Sequence, residues 1–114
     1  MATEREIQRR EATDAFRSYA RRGLTPRQTE ILDPTVWMDD LAVAQTISLL
    51  NRTGKGYIVD ALKEIYFAEP DAVLHKSDIE MRVTRFTMTH HVCRTSVYKW
   101  LSVAREIYLG IRHY

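Results

Sequence analysis

The stretch that decides the fold of this chain lies near its end and reads Arg94-Thr95-Ser96-Val97-Tyr98-Lys99-Trp100-Leu101-Ser102-Val103-Ala104-Arg105. Val97, Leu101 and Ala104 recur at the three-to-four-residue spacing of one helix face, so that face should be buried. Polar and cationic residues occupy the opposite side of the first turns. The pattern predicts an amphipathic helix from about Arg94 to Arg112, with hydrogen-bonding groups on its outer face. Trp100 borders the apolar face and is interpreted as a core residue rather than a base contact.

A second helix signal stands just before this stretch. Ser77-Asp78-Ile79-Glu80 has the form of a capping box, in which a serine and a glutamate three residues later satisfy the free amides of a helix start. Val83 and Phe86 continue the apolar face that Ile79 begins, and residues 87–91 should connect this helix to the last one. Two such helices in succession, over about residues 76–112, predict a helix-turn-helix unit.

Three further helices are predicted upstream, over about Thr3 to Arg22, Pro34 to Arg52 and Tyr57 to Ala68. The first is rich in arginine, has a thin apolar stripe, and should dock weakly or wait for a partner. Thr25 and Asp33 have the chemistry of helix caps, one for a single turn and one for the next helix. We therefore expect an all-α fold of four to five helices with a C-terminal helix-turn-helix. Residues 1–33 would form a basic helix and linker, and residues 34–114 a helical domain.

Charge is unevenly distributed along the 114-residue chain. Residues 1–30 carry a net charge of +2, residues 31–74 one of −4, and residues 75–114 one of +4. A basic end and an acidic middle suggest separate surfaces for two kinds of partner, the basic one for nucleic acid. The acidic candidates for a protein partner are Asp39, Asp40, Asp60, Glu64, Glu69 and Asp71. Asp39 and Asp40 are also interpreted as first-turn charges that the helix dipole favours.

Composition excludes several classes of protein. Apolar residues make up 45% of the chain and charged residues 28%, which suits a compact, soluble domain. No stretch approaches the roughly eighteen consecutive apolar residues of a membrane span, and the charged N-terminus does not resemble a signal peptide, so no membrane is expected as a partner. The single cysteine, Cys93, excludes an intrachain disulfide and suggests a reducing, cytoplasmic compartment.

The helix-turn-helix pattern assigns roles to eight polar or cationic residues. In such units the second helix lies in the major groove of duplex DNA while the first braces against the backbone. Arginine and lysine recognise guanine edges or phosphates, and threonine meets phosphates or thymine methyl groups. Base edges or nearby phosphates would be met by Arg94, Thr95, Tyr98 and Lys99. The DNA backbone would be held by Lys76, Arg82, Arg85 and Arg105.

The same residues resemble a known family. The run Lys76…Ile79…Arg94-Thr95-x-x-Tyr98-Lys99-Trp100-Leu101-x-x-Ala104 resembles the end of bacteriophage late-gene antiterminators of the Q type, and more distantly region 4 of bacterial sigma factors. The resemblance covers about residues 36–112. It implies a phage or prophage transcription regulator in the cytoplasm of a bacterial host, with double-stranded DNA and RNA polymerase as partners. Fourteen residues separate Ile79 from Cys93, more than in the sigma pattern, which predicts a longer supporting helix or a long turn.

Three other functions compete with antitermination. A promoter-site activator or repressor would use the same helix-turn-helix, whereas an adaptor that does not bind DNA would dock another protein, or a second copy of the chain in a homodimer. Side chains of the zinc-ligand type are present at His75, His90, His91 and Cys93. Their spacing is not that of a structural zinc site, so neither a metal nor another cofactor is expected. Gly54-Lys55-Gly56 lacks the spacing of a phosphate-binding loop and no catalytic constellation stands out, so we do not expect an enzyme.

Overall fold

The computed structural model describes residues 2–23 and 34–114. In these ranges the chain forms helices, as the apolar periodicity of the sequence predicts. The helices are α1 (Glu4–Arg22), α2 (Pro34–Arg52), α3 (Gly56–Leu62), α4 (Lys76–His90) and α5 (Arg94–Arg112), and a π-helical turn (Lys63–Phe67) continues α3. The predicted all-α fold of four to five helices is confirmed, with no strand in the described ranges. Within those ranges, no helix has the length and apolar character that crossing a bilayer requires. The predicted turn at Thr25, the cap at Asp33 and the domain boundary after residue 33 lie outside the described residues.

Helix α1 is held in the core by one large side chain. Thr3 accepts a hydrogen bond from the Glu6 amide at 3.1 Å where the helix begins, and Gly23 ends it in the left-handed conformation, at a φ of 59°. Phe16 is fully buried, with its ring centroid 5.8 Å from that of Tyr66 and 5.7 Å from that of Tyr108. The prediction that α1 docks weakly is wrong, because an aromatic residue in the middle of a thin stripe buries a large apolar area.

Two carboxylates of α2 are used inside the protein. Asp39 and Asp40 lie in the second turn of the helix rather than in its first turn, so the interpretation of this pair as first-turn charge is wrong. Asp40 is fully buried and forms a bidentate ion pair with Arg22 at the end of α1. Asp39 accepts a hydrogen bond of 2.6 Å from Nε of Arg112 at the end of α5. The two carboxylates therefore tie α2 to the ends of α1 and α5.

Helix α5 is the central element of the described fold, because it packs against each of the other four helices. Its inner face is buried at Val97, Leu101 and Ala104, as predicted, and Tyr108 continues this face. Trp100 is half-buried, with its ring centroid 4.9 Å from that of Tyr57 and 6.4 Å from that of Phe86. Its interpretation as part of the packed interior agrees with these two ring contacts.

Two arginines hold the segment that follows the π-helical turn. Arg17 of α1 is 5% exposed and donates hydrogen bonds of 2.6–2.8 Å to the carbonyl oxygens of Tyr66, Ala68, Glu69 and Ala72. Arg82 of α4 donates to the carbonyl oxygens of Ile65, at 2.7 Å, and Ala68, at 2.9 Å. A helix end leaves carbonyl oxygens without partners in the helix, and these guanidinium groups supply the donors.

Helix α4 is longer at both ends than its sequence signals predict. It begins after His75, whose amide donates a hydrogen bond to the Asp78 carboxylate at 2.9 Å. The capping box therefore consists of His75 and Asp78, and not of Ser77 and Glu80. Residues 87–90, predicted to belong to the connection, are helical. The His90 ring stacks on Phe86 at 4.0 Å and lies 3.0 Å from a Glu64 oxygen, which gives the last turn a tertiary anchor. A longer supporting helix therefore accounts for the fourteen-residue spacing.

Removing the Arg17 guanidinium should destabilise the fold. Arg17→Ala removes four hydrogen bonds to carbonyl oxygens, and we expect the free energy of unfolding to fall by about 3 kcal/mol or more, measured by urea denaturation. Arg21→Ala is the matched control, because among the described residues the exposed Arg21 side chain donates a hydrogen bond only to Ser18 and should contribute less than about 0.5 kcal/mol. Equal losses in the two variants would contradict this account of the segment after α3.

Candidate nucleic-acid interface

The outer face of α5 presents the residues that the sequence assigns to base edges. Arg94, Thr95, Tyr98 and Lys99 are all exposed, whereas Val97 between them is fully buried. Tyr98 is 37% exposed, with the remainder of its surface covered by the protein. The amphipathic division predicted for the first turns of α5 is therefore present, with cationic, hydroxyl and aromatic groups on the solvent side.

A groove between α1, α4 and α5 lies beside these residues, and we call it the basic groove. It has a volume of about 930 Å³, and five cationic side chains line it, Arg9, Arg10, Lys76, Lys99 and Arg105. Two carboxylates, Glu6 and Glu80, also line it, so the groove keeps an excess of positive charge. Such an excess attracts polyanions, since neutralised phosphates release their counterions on binding.

A second groove runs between α4 and the first turn of α5, and we call it the α4 groove. Its volume is about 540 Å³, and its lining includes Arg85 and Arg94. Met81 and Met88 are 55% and 74% exposed on the same wall, and Glu80 borders both this groove and the basic groove. The two grooves therefore flank the exposed start of α5 and bring six of the eight predicted residues together around it.

Two of the predicted backbone contacts have partners inside the protein. The Arg82 side chain is 11% exposed and is engaged by the carbonyl oxygens after α3, with Glu69 at 3.4 Å from its outer nitrogen. We therefore interpret Arg82 as a structural residue. Arg105 is intermediate, because one nitrogen donates to the buried Tyr66 hydroxyl at 2.7 Å while the side chain also lines the basic groove.

Sequence reasoning missed Arg9 and Arg10 of α1. The available signal was the arginine-rich outer side of the first helix, but nothing in the sequence brings that helix beside Lys99 and Arg105. The neighbourhood arises from tertiary packing, since Phe16 of α1 contacts Tyr108 of α5 in the core. Arg9 and Arg10 then extend along the wall of the basic groove.

The three-residue connection between α4 and α5 places a thiol beside the exposed start of α5. His91 has a φ of 56°, a left-handed conformation that lets the chain reverse, and Cys93 is the N-cap residue of α5. The Cys93 Sγ lies 3.0 Å from the Ser96 hydroxyl. Hydrogen bonding with Ser96 lowers the pKa of the exposed Cys93 thiol below its ordinary value.

The zinc-ligand side chains noted in the sequence do not converge. His90 pairs with Glu64, whereas Cys93 contacts Ser96. In residues 2–23 and 34–114, no three His, Cys, Asp or Glu side chains are grouped as a metal ion would need.

Neither protein-family models, nor curated proteins, nor solved structures gave a match to this chain.

The Cys93 thiol should titrate below an unperturbed cysteine, and Ser96 should be the cause. Ser96→Ala removes the hydroxyl contact, so the pKa of Cys93 should rise toward its ordinary value. The pH dependence of the rate of alkylation by iodoacetamide measures this pKa, because the thiolate is the reacting form. Ser102→Ala, farther along α5, is the control and should leave the profile unchanged. An unaltered profile in Ser96→Ala would remove Ser96 as the cause.

Proposed function

We propose that this protein binds duplex DNA with the outer face of α5 and regulates transcription. The observation that carries the proposal is the exposed start of α5, where Arg94, Tyr98 and Lys99 stand between two grooves that hold further cations. A binding helix needs one buried side and one side of donors, and α5 has both. A surface with this excess of positive charge attracts a negatively charged partner rather than an uncharged one.

The proposed binding mode follows the division between α4 and α5. The first turns of α5 enter the major groove, which is about 12 Å wide and accepts a helix. Arg94 makes a bidentate contact with a guanine edge, and Lys99 reaches a guanine or a phosphate. Lys76 and Arg85, on opposite grooves of α4, hold phosphates on either side of the entering helix. Arg82 does not contribute, because the protein itself occupies its guanidinium.

The finer proposal is a phage or prophage late-gene antiterminator that also contacts bacterial RNA polymerase. It rests on the resemblance of residues 76–104 to the Q type and on the presence of exposed acidic side chains outside the DNA surface. Asp60 and Asp71 are exposed, whereas Asp40 is buried and Asp39 is paired with Arg112, which withdraws these two from the polymerase-facing candidates. A promoter-site activator or repressor would make the same DNA contacts without travelling with polymerase.

Arg94→Ala tests base recognition by α5. On duplexes selected from a random pool by the wild-type protein, the variant should bind about 5- to 150-fold more weakly, corresponding to roughly 1–3 kcal/mol. The loss should be smaller on shuffled duplexes, since the contact reads a base. Gel retardation at several salt concentrations gives both affinities and the wild-type salt slope, expected to be roughly −4 to −5 for about five phosphate contacts.

The matched control is Arg52→Ala, which removes an exposed arginine of α2 that lines neither groove. It should change affinity by less than about twofold. Equal losses for Arg94→Ala on selected and shuffled duplexes would reduce Arg94 to a phosphate contact. The absence of any retardation by the wild-type protein at low salt would replace the DNA proposal with the adaptor.

Terminator readthrough distinguishes an antiterminator from a promoter-site regulator. In a purified transcription reaction with bacterial RNA polymerase, a template carrying the selected DNA site near its promoter and a terminator downstream should yield more readthrough transcript when the protein is present. Arg94→Ala should abolish the gain, because loading depends on the DNA site. A change in initiation with an unchanged ratio of readthrough to terminated product would instead favour the promoter-site regulator.

A further inference from the structure

One stripe of α5 connects three surface grooves. Its members follow helical spacing and are Arg94, Tyr98, Ser102, Arg105 and Leu109. Arg94 lines the α4 groove, and Tyr98, Ser102 and Arg105 line the basic groove. The last three members also line a smaller groove of about 110 Å³, whose opposite wall is Arg5, Gln8 and Arg9 of α1. The later part of the stripe is therefore bordered by α1 along its length.

The stripe is longer than the DNA feature that its first turns are proposed to enter. At about 1.5 Å per residue, the rise from Arg94 to Leu109 is roughly 22 Å, against a major groove about 12 Å wide. In the proposed binding mode the turns that carry Arg94 to Lys99 enter the groove. The turns that carry Ser102 to Leu109 then extend beyond it, which brings α1, their neighbour, next to the phosphates that border the groove.

The arginine side chains of α1 at this position have no other partner among residues 2–23 and 34–114. Arg5, Arg9 and Arg10 are exposed, and within the described residues no ion pair or side-chain hydrogen bond engages their guanidinium groups. Two other arginines of the same helix differ from these three. Arg17 donates hydrogen bonds to carbonyl oxygens, and Arg22 is paired with Asp40. The second half of α1 thus has a structural role, whereas its first half carries three guanidinium groups that no described side chain engages, alongside Glu4, Glu6 and Glu11.

We propose that α1 is part of the DNA-binding surface, with Arg5, Arg9 and Arg10 holding the backbone phosphates that border the major groove entered by α5. This inference rests on the proposed function and adds a second region of phosphate contact to it. Arg105 connects the two contacts, because the Tyr66 hydroxyl fixes one of its nitrogens while the side chain lines both grooves shared with α1. The guanidinium groups of α1 contribute through their charge on the phosphates, and they do not read bases.

The variant that tests the inference is the double substitution Arg9→Ala/Arg10→Ala. Both side chains are exposed, so the fold should be retained, which an unchanged unfolding midpoint verifies. Two lost phosphate contacts should make the slope of log affinity against log salt shallower by about 2. The loss of affinity should be the same factor on selected and shuffled duplexes, since phosphates carry no sequence information.

Two controls isolate the charge. Arg52→Ala/Lys55→Ala removes two exposed cations that line none of the three grooves, and it should leave the salt slope within about 0.5 of the wild-type value. Arg9→Lys/Arg10→Lys keeps the charge and should keep most of the slope and affinity.

The outcomes separate this inference from the function on which it rests. A wild-type slope and affinity in Arg9→Ala/Arg10→Ala, with Arg94→Ala still weakened, would overturn the α1 contact and leave the DNA proposal standing. A loss confined to the selected duplex would also overturn it, because α1 would then read bases. No binding of duplex DNA by the wild-type protein at low salt would remove both proposals.

Discussion

The described fold depends on the buried guanidinium of Arg17. It donates to four carbonyl oxygens of the segment after α3, and Arg82 of α4 shares one of them, that of Ala68. Burial, and after it the neighbouring Arg82 charge, lowers the pKa of Arg17 below its ordinary value. Through these hydrogen bonds the segment is attached to both α1 and α4, and these two helices form walls of the basic groove. The position of each wall is therefore set by two arginines whose side chains are largely buried.

Arginine serves two purposes in this protein, and the structure separates them by environment. Arg22 and Arg112 pair with carboxylates of α2, and hydrogen bonds to those carboxylates raise the pKa of both guanidinium groups. These pairs hold helix ends together, and their charges are largely neutralised by their partners. The remaining excess of positive charge is left to side chains such as Lys99 and Arg94, which face solvent around α5. A modest net charge of +2 thus coexists with a concentrated cationic surface.

The sequence alone predicted what depends on local periodicity, and it missed what depends on packing. The bounds of α5 and its buried Val97 and Leu101 follow from spacing within one helix, and the structure has them as expected. The end of α4 was mispredicted because four polar residues resemble a turn, whereas His90 stacks on Phe86 and continues the helix. Arg82 looked like a surface cation, since the carbonyl oxygens that it satisfies belong to a distant segment. That Arg9 and Arg105 line one groove could not be predicted either, because it depends on how α1 and α5 pack in the core.

The basic groove has a consequence for synthesis of the protein on the ribosome. Its walls come from the first and the last helices of the described chain, so the groove does not exist until α5 has emerged and folded back onto α1. Contacts between segments so far apart form late in folding, because closing the long loop between them costs entropy first. A nascent chain that ends before Lys99 therefore contains the arginines of α1 but not the groove that they line in the folded protein.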